Sequence, residues 1–139
     1  MDVPADIEAF VREFEAGTLP KPRWTHEAHL LVALWYLAQH DESGALPVVR
    51  QRIRAYNDAV GTLNSDTSGY HESLTRLYLR GIAAHRATRP AAPIAAAFTD
   101  LLGTPLASRE WPLSYYSRER LFSVAARRGW VPPDLKSLP

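Results

Sequence analysis

The stretch His26-Glu27-Ala28-His29-Leu30-Leu31-Val32-Ala33-Leu34-Trp35-Tyr36-Leu37-Ala38 decides the fold of this chain. Its apolar side chains point in nearly every direction around a helix, as they do in a helix buried at the centre of a domain. Thr25, directly before the stretch, is a favourable N-cap residue. The uninterrupted apolar run from Leu30 to Ala38 is far shorter than the ~20 residues of a membrane span. The stretch therefore predicts a central helix over residues 26–40.

Five other helices are predicted around this one, and no stretch shows the period of two that indicates a strand. Their apolar residues recur at helical spacing, and a glycine follows four of them as a stop signal. The first of these covers residues 4–16, the next contains the apolar residues of 46–60, and a further one covers 70–86. Pro90 and Pro93 open another, which Gly103 closes, and the last starts near 114–117 and ends at 129. We therefore predict an all-α fold, in which residues 1–139 form a single-domain bundle of about six helices.

Two of these helices carry specific packing predictions. The third helix has apolar residues at alternating spacings of three and four, a seam that packs on a neighbour. This seam consists of Leu46, Val49, Ile53, Tyr56 and Val60. The buried positions predicted for the last helix are Leu121, Phe122, Val124 and Ala125.

The composition restricts the chemistry that this chain can perform. Its 139 residues include no cysteine, which excludes disulfides, thiolate metal ligands and cysteine nucleophiles. With 16 basic against 15 acidic side chains, the net charge of +1 gives no reason to expect a nucleic-acid or anionic-membrane partner. Acidic residues stand near the N-terminus, where a targeting signal carries basic ones. We therefore expect a cytoplasmic protein.

Chemistry-bearing residues concentrate at the starts of the second, fourth and sixth helices. Consecutive helices joined by short loops run antiparallel, so these three starts are expected at one end of the bundle. The second helix begins with Trp24-Thr25-His26-Glu27-Ala28-His29 and the fourth with Tyr70-His71-Glu72-Ser73-Leu74-Thr75. The sixth begins with Ser114-Tyr115-Tyr116-Ser117-Arg118-Glu119. The sequence therefore predicts a polar, histidine-rich site at that end.

Three histidines in this group indicate a metal site. His26 and His29 are three residues apart and share one face of a helix, and His71 adds a third imidazole from the parallel helix. Three histidine ligands with an open position are typical of a catalytic metal centre. Without cysteine the ligands are nitrogen and oxygen atoms, for which zinc is the favoured divalent ion. The hypothesis is a zinc ion bound by the three imidazoles.

The neighbouring side chains would supply the rest of a reaction. Glu72 would orient or deprotonate a metal-bound water, whose pKa the ion lowers. Tyr116 and Arg118 would hold an anionic or carbonyl group of a small-molecule substrate. Tyr78 lies farther along its helix and is predicted to pack in the core. These roles predict metal-assisted hydrolysis or a lyase-like reaction.

A non-enzymatic interpretation stands beside this one. His26, His29 and His71 would then be helix-end structural residues, hydrogen-bonded to the backbone. The chain would be a helical module that binds a ligand or forms a homo-oligomer, with the seam of the third helix (46–60) as the self-association surface. Metal analysis of the intact protein separates the two hypotheses.

The same segments carry a resemblance. Trp24-Thr25-His26 with His29, Tyr70-His71-Glu72 with Leu74-Thr75, and Tyr115-Tyr116-Ser117 occur here in this order. In this respect the chain resembles a group of small bacterial all-helical proteins to which no activity is assigned. The resemblance implies that the three segments form one recurring unit, and it names no reaction.

Overall fold

A computed structural model describes residues 6–139, and every regular element in that range is helical. Its α-helices are α1 (Ile7–Ala16), α2 (His26–Leu37), α3 (Glu42–Ala59), α4 (Glu72–Arg86), α5 (Ile94–Leu102), α6 (Arg118–Leu121) and α7 (Val124–Arg128). Short 3₁₀ segments lie at Lys21–Arg23, Pro105–Ala107 and Trp111–Ser114. The predicted all-α bundle is confirmed. The predicted helix start at Pro4 lies outside the described residues.

The central position of α2 follows from its composition. Thr25 caps the helix by accepting a hydrogen bond from the Ala28 N–H (3.2 Å). Eight of its 12 residues are buried, and it packs against α3, α4 and α5. Burying one leucine such as Leu31 or Leu34 stabilises the fold by about 1.5–3 kcal/mol. No described helix is long and apolar enough to cross a membrane.

The predicted seam of α3 packs inside the chain's own core. Val49 and Tyr56 are buried, while Leu46, Ile53 and Val60 pack partly buried against the same core cluster. The helix contacts α1, α2 and α4, so much of its apolar face packs within the chain. Its use as a self-association surface stays a prediction.

The prediction of one continuous helix at the end of the chain is wrong. The structure instead has two short helices, α6 and α7, separated by residues 122–123, and a serine caps the start of each. Ser117 accepts a hydrogen bond from the Arg120 N–H (3.3 Å), and Ser123 accepts one from the Ala126 N–H (3.1 Å). A serine hydroxyl competes well for free N–H groups at a helix start, so Ser123 favours a second start over continuation.

This break also changes which side chains are buried. Of the four positions predicted to be buried, only Leu121 is, at 2% exposed. Phe122 and Val124 are 59% and 43% exposed, and Ala125 is exposed as well. Ala126 is buried instead. A continuous helical periodicity cannot be projected across a break, because the second helix starts at a new angle.

The start of α4, residues 70–73, is polar and yet buried. Ser73 donates its hydroxyl to the Gly129 carbonyl (2.7 Å) and accepts a hydrogen bond from the Val131 N–H (3.0 Å). These bonds hold the C-terminal segment, after α7, against α4. Buried polar groups are tolerated only when they are hydrogen-bonded, and this segment meets that condition.

A partly buried ion pair links α3 to the start of α4. The Arg50 guanidinium donates two hydrogen bonds to the Glu72 carboxylate (2.9 and 2.7 Å), and the Tyr70 hydroxyl donates a third (2.7 Å). The Glu72 side chain is 8% exposed and that of Arg50 is 35% exposed. Desolvation opposes ionisation of Glu72, but the bonds from Arg50 and Tyr70 outweigh it and lower its pKa. Glu72 is therefore ionised and fully engaged within the fold.

We expect Arg50→Met to lower the free energy of unfolding by about 2–4 kcal/mol, because it leaves a buried carboxylate without its counter-charge. Adding Glu72→Gln to this variant should restore part of the loss, since the uncompensated charge is then removed. Urea unfolding at pH 7 measures both effects. Arg12→Met, which removes the surface pair with Glu8, is the control and should leave stability nearly unchanged. A loss at Arg50 no larger than at Arg12 would contradict the structural role of the pair.

Candidate ligand-binding site

A cavity of about 530 Å³ lies between α2, α4 and the segment 109–122, with α3 behind it. All three predicted starts border it, through His26 of α2, Leu74 of α4 and Arg118 of α6. The expected convergence of these helix starts is thus seen in the structure. The space between these helix starts is largely apolar, although the sequence segments at its border are rich in polar residues.

His29 lies in an aromatic stack at the wall of the cavity. Its ring lies 3.8 Å from the Trp24 ring, which in turn stacks 4.5 Å from Phe14 in the core. Its Nδ1 lies 2.6 Å from the Thr25 carbonyl oxygen. A carbonyl can only accept, so Nδ1 carries the hydrogen and donates it. Stacking and this bond together fix the orientation of the ring.

The second ring nitrogen of His29, Nε2, makes no hydrogen bond to any described residue. The ring borders the cavity and is open to solvent there. Desolvation by the surrounding protein lowers the pKa of His29, the Thr25 carbonyl opposes this, and the charges of His26 and Arg109 lower it further. The ring is therefore neutral at pH 7, and Nε2 is a free hydrogen-bond acceptor at the cavity.

His26 faces the cavity on the other side of the α2 start. Its Nε2 donates a hydrogen bond to the Leu106 carbonyl (3.0 Å), and its ring meets the Tyr78 ring edge-on at 5.4 Å. Tyr78 contacts Trp111 at 5.1 Å. Trp111 fits over Gly81 of α4, where an added Cβ would lie 2.6 Å from the indole. Gly81 thus lets the segment 109–122 approach α4 and close this side of the cavity.

His71 caps α4 with its side chain. Its Nδ1 accepts a hydrogen bond from the Leu74 N–H (3.0 Å), and its Nε2 donates to the Leu121 carbonyl (2.6 Å). Both ring nitrogens are therefore occupied. Burial lowers the pKa of His71, although the bond to Leu121 acts in the opposite direction. A neutral ring is required here, because a protonated Nδ1 cannot accept from the Leu74 N–H.

The three histidines do not form a ligand group for an ion. Among residues 6–139, no three or more His, Asp or Glu side chains are arranged to hold a metal. His71 would have to give up its bonds to Leu74 and Leu121 before it could coordinate. The zinc site of His26, His29 and His71 therefore stays a prediction, for which the structure shows no assembled set of ligands.

Two of the predicted reacting residues lie away from the cavity. Glu72 is held by Arg50 and Tyr70 and does not line the cavity. Tyr116 is fully buried and donates its hydroxyl to the Val131 carbonyl (2.5 Å). Neither position fits the predicted role toward a substrate in this space, and both side chains instead secure the fold around the start of α4.

Two arginines border the cavity, and one of them was not identified in the sequence. Arg118 lines it, and its guanidinium lies 3.6 Å from the Glu110 carboxylate, while its binding of an anion stays a prediction. Arg109 also lines it. Arg109 precedes a 3₁₀ segment in an irregular stretch, so helical periodicity gives no signal for it. Tyr78, predicted to pack in the core, lines the cavity too. Its position four residues after Leu74 places it on the same helix face.

We expect His71→Ala to lower the free energy of unfolding by about 1–3 kcal/mol, because α4 loses its cap and the Leu121 carbonyl its donor. His71→Asn keeps a side-chain oxygen that can cap the helix, so its loss should be smaller. Urea unfolding at pH 7.5 gives the comparison. Equal stability of His71→Ala and the wild type would contradict the role of His71 as a cap.

The same variants test the protonation state of His71. Its pKa is lower in the folded than in the unfolded chain, so the unfolded chain binds more protons just below the unfolded value of about 6.5. The stability that this ring contributes is therefore complete above about pH 6.5 and is lost as the pH falls toward the folded pKa. His71→Asn should lose less stability than the wild type between pH 7.5 and 5. Parallel pH profiles would show that His71 does not titrate in this way.

Comparisons with known proteins identify no relative of this chain. No family model, curated protein or solved structure matches it. What the cavity binds is therefore inferred from its own geometry and chemistry.

Proposed function

We propose that this chain binds a small organic molecule in the cavity between α2 and α4. The observation that carries the proposal is the cavity itself, whose volume of about 530 Å³ falls in the range of ~300–1,000 Å³ typical of small-molecule sites. This function corresponds to the ligand-binding form of the non-enzymatic interpretation. The histidines then line the site or support its walls.

The walls are suited to an apolar body. Most of the wall is apolar, and the aliphatic side chains that three helices contribute to it include Leu30, Val49, Ile53, Leu79 and Ile82. Trp24 and Tyr78 add aromatic surface, which contributes both apolar area and stacking geometry. A molecule that displaces water from these walls gains about 25 cal/mol for each Å² of apolar area buried.

A few polar groups at the walls are open to a ligand. Nε2 of His29 accepts no hydrogen bond from a described residue, and the Tyr78 hydroxyl likewise has no hydrogen-bond partner among them. Desolvation raises the pKa of Tyr78, so its hydroxyl stays protonated and can donate. One acceptor and one donor within an apolar site are the kind of groups that fix a ligand's orientation.

The metal-assisted hydrolase or lyase hypothesis gains no support from these contacts. Its proposed base, Glu72, is engaged by Arg50, and its third ligand, His71, uses both ring nitrogens within the fold. Ligand binding requires none of these residues to leave its partners. It is therefore the function that the geometry supports best.

The neutral fluorophore N-phenyl-1-naphthylamine tests the proposal, since its emission rises in an apolar site. Ala33 is a small residue at the cavity wall, and Ala33→Phe should raise the dissociation constant at least about tenfold by filling the space. Ala33→Leu adds less volume and should have a smaller effect. Ala55→Phe, the same change at an exposed position of α3, should leave binding unchanged.

Circular dichroism and urea unfolding establish which of these variants are folded before binding is compared. A graded loss of binding from alanine through leucine to phenylalanine at position 33 supports the proposal. Equal binding by the folded position-33 variants and by Ala55→Phe would place the dye outside the cavity, and the proposal would then fail.

A further inference from the structure

We propose that the natural ligand is a small organic anion, with an apolar body in the cavity and one carboxylate or sulfonate group at its mouth. This inference rests on the proposed function and specifies its ligand. Charge complementarity carries it, because Arg109 and Arg118 border the cavity and Glu110 is the one acidic side chain among the described lining residues.

Arg109 is the most informative of these residues. Its side chain has no ion pair or hydrogen bond with any described residue. It nevertheless lies close enough to His29 and Tyr78 for its charge to act on both. A guanidinium carries a planar set of donors that matches a carboxylate or sulfonate. Arg109 thus presents an uncompensated positive charge beside the open acceptor and donor of the cavity.

Arg118 can join it without disrupting the fold. Among the described residues it pairs with one acid, Glu110, at 3.6 Å, and both side chains are more than 70% exposed. Such a surface pair contributes little to stability, so a bound anion can draw Arg118 away at small cost. Two arginines at the border of the cavity, both from the segment 109–122, are therefore available to an anionic ligand.

The positive charge of Arg109 and Arg118 lies at one end of the cavity. Desolvation by the surrounding protein lowers the pKa of His29, so that its ring is neutral at pH 7. The aliphatic lining residues Leu30, Leu79 and Ile82 are buried, whereas Arg109 and Arg118 are exposed. An organic cation would meet two arginines and a single acid, Glu110, among the described lining residues. A molecule charged at one end and apolar at the other matches this distribution.

Two fluorophores with the same ring system separate the anion preference from binding itself. They are 1-anilinonaphthalene-8-sulfonate, which is anionic, and N-phenyl-1-naphthylamine, which lacks the sulfonate. We expect Arg109→Met to weaken binding of the anionic dye about tenfold, the effect of losing one charge-assisted hydrogen bond, and binding of the neutral dye less than twofold. Arg109→Lys keeps the charge and should restore part of the affinity. Arg12→Met, at an exposed arginine outside the cavity lining, is the matched control.

The outcomes are distinct for the two proposals. Selective loss of the anionic dye in Arg109→Met, with Arg12→Met unchanged, supports the inference. If the neutral dye binds in a manner sensitive to Ala33→Phe while Arg109→Met weakens both dyes equally or neither, the anion preference is wrong and ligand binding stands. If neither dye responds to Ala33→Phe, the proposed function itself fails.

Discussion

The buried polar start of α4 is the constraint on which the rest of the structure depends. The Arg50–Glu72 ion pair fastens it to α3, and Ser73 fastens it to the C-terminal segment. His71 fastens it to α6 through the Leu121 carbonyl. Charges and hydrogen-bonding groups are costly to bury unless each finds a partner. Their bonds are specific in direction, so they fix where these elements lie in a way that apolar packing alone does not.

The cavity is a consequence of this arrangement. Leu121 and Arg118 of α6 line it, and α6 is held against α4 by the bond from His71. On the opposite side, Trp24 and Thr25 hold His29 in place at the start of α2. The residues that a metal centre would use are thus bound to backbone groups. What they leave open is a largely apolar space with a neutral imidazole and an unpaired arginine at its border.

The sequence was sufficient for features that depend on local pattern. The all-round apolar character of α2 predicted its central position, and Thr25 predicted its start. Short loops predicted that the starts of α2, α4 and α6 meet. The break at Ser123 was missed, although a second serine six residues after Ser117 is a cap signal that could have revealed it.

Other features depend on contacts that no local pattern encodes. Whether His71 binds a metal or a carbonyl is decided by Leu121, which lies 50 residues later in the chain. Arg50, on a different helix, donates hydrogen bonds to Glu72. The candidate general base therefore has a structural role. Arg109 lies in an irregular stretch, where helical periodicity does not predict which side chains face a cavity. The residue types indicated which side chains were polar or ionisable. The role of each was determined by the residue that it contacts in the fold.

The nitrogen chemical shifts of the histidine rings in ¹⁵N-labelled protein are the most direct test of these roles. At neutral pH, His71 should be in the Nε2–H tautomer with an unprotonated Nδ1, and His29 in the Nδ1–H tautomer with an unprotonated Nε2. One equivalent of zinc should leave the His71 shifts unchanged. Zinc-induced shifts of His26, His29 and His71 together, at that single equivalent, would contradict this assignment and restore the three-histidine metal site.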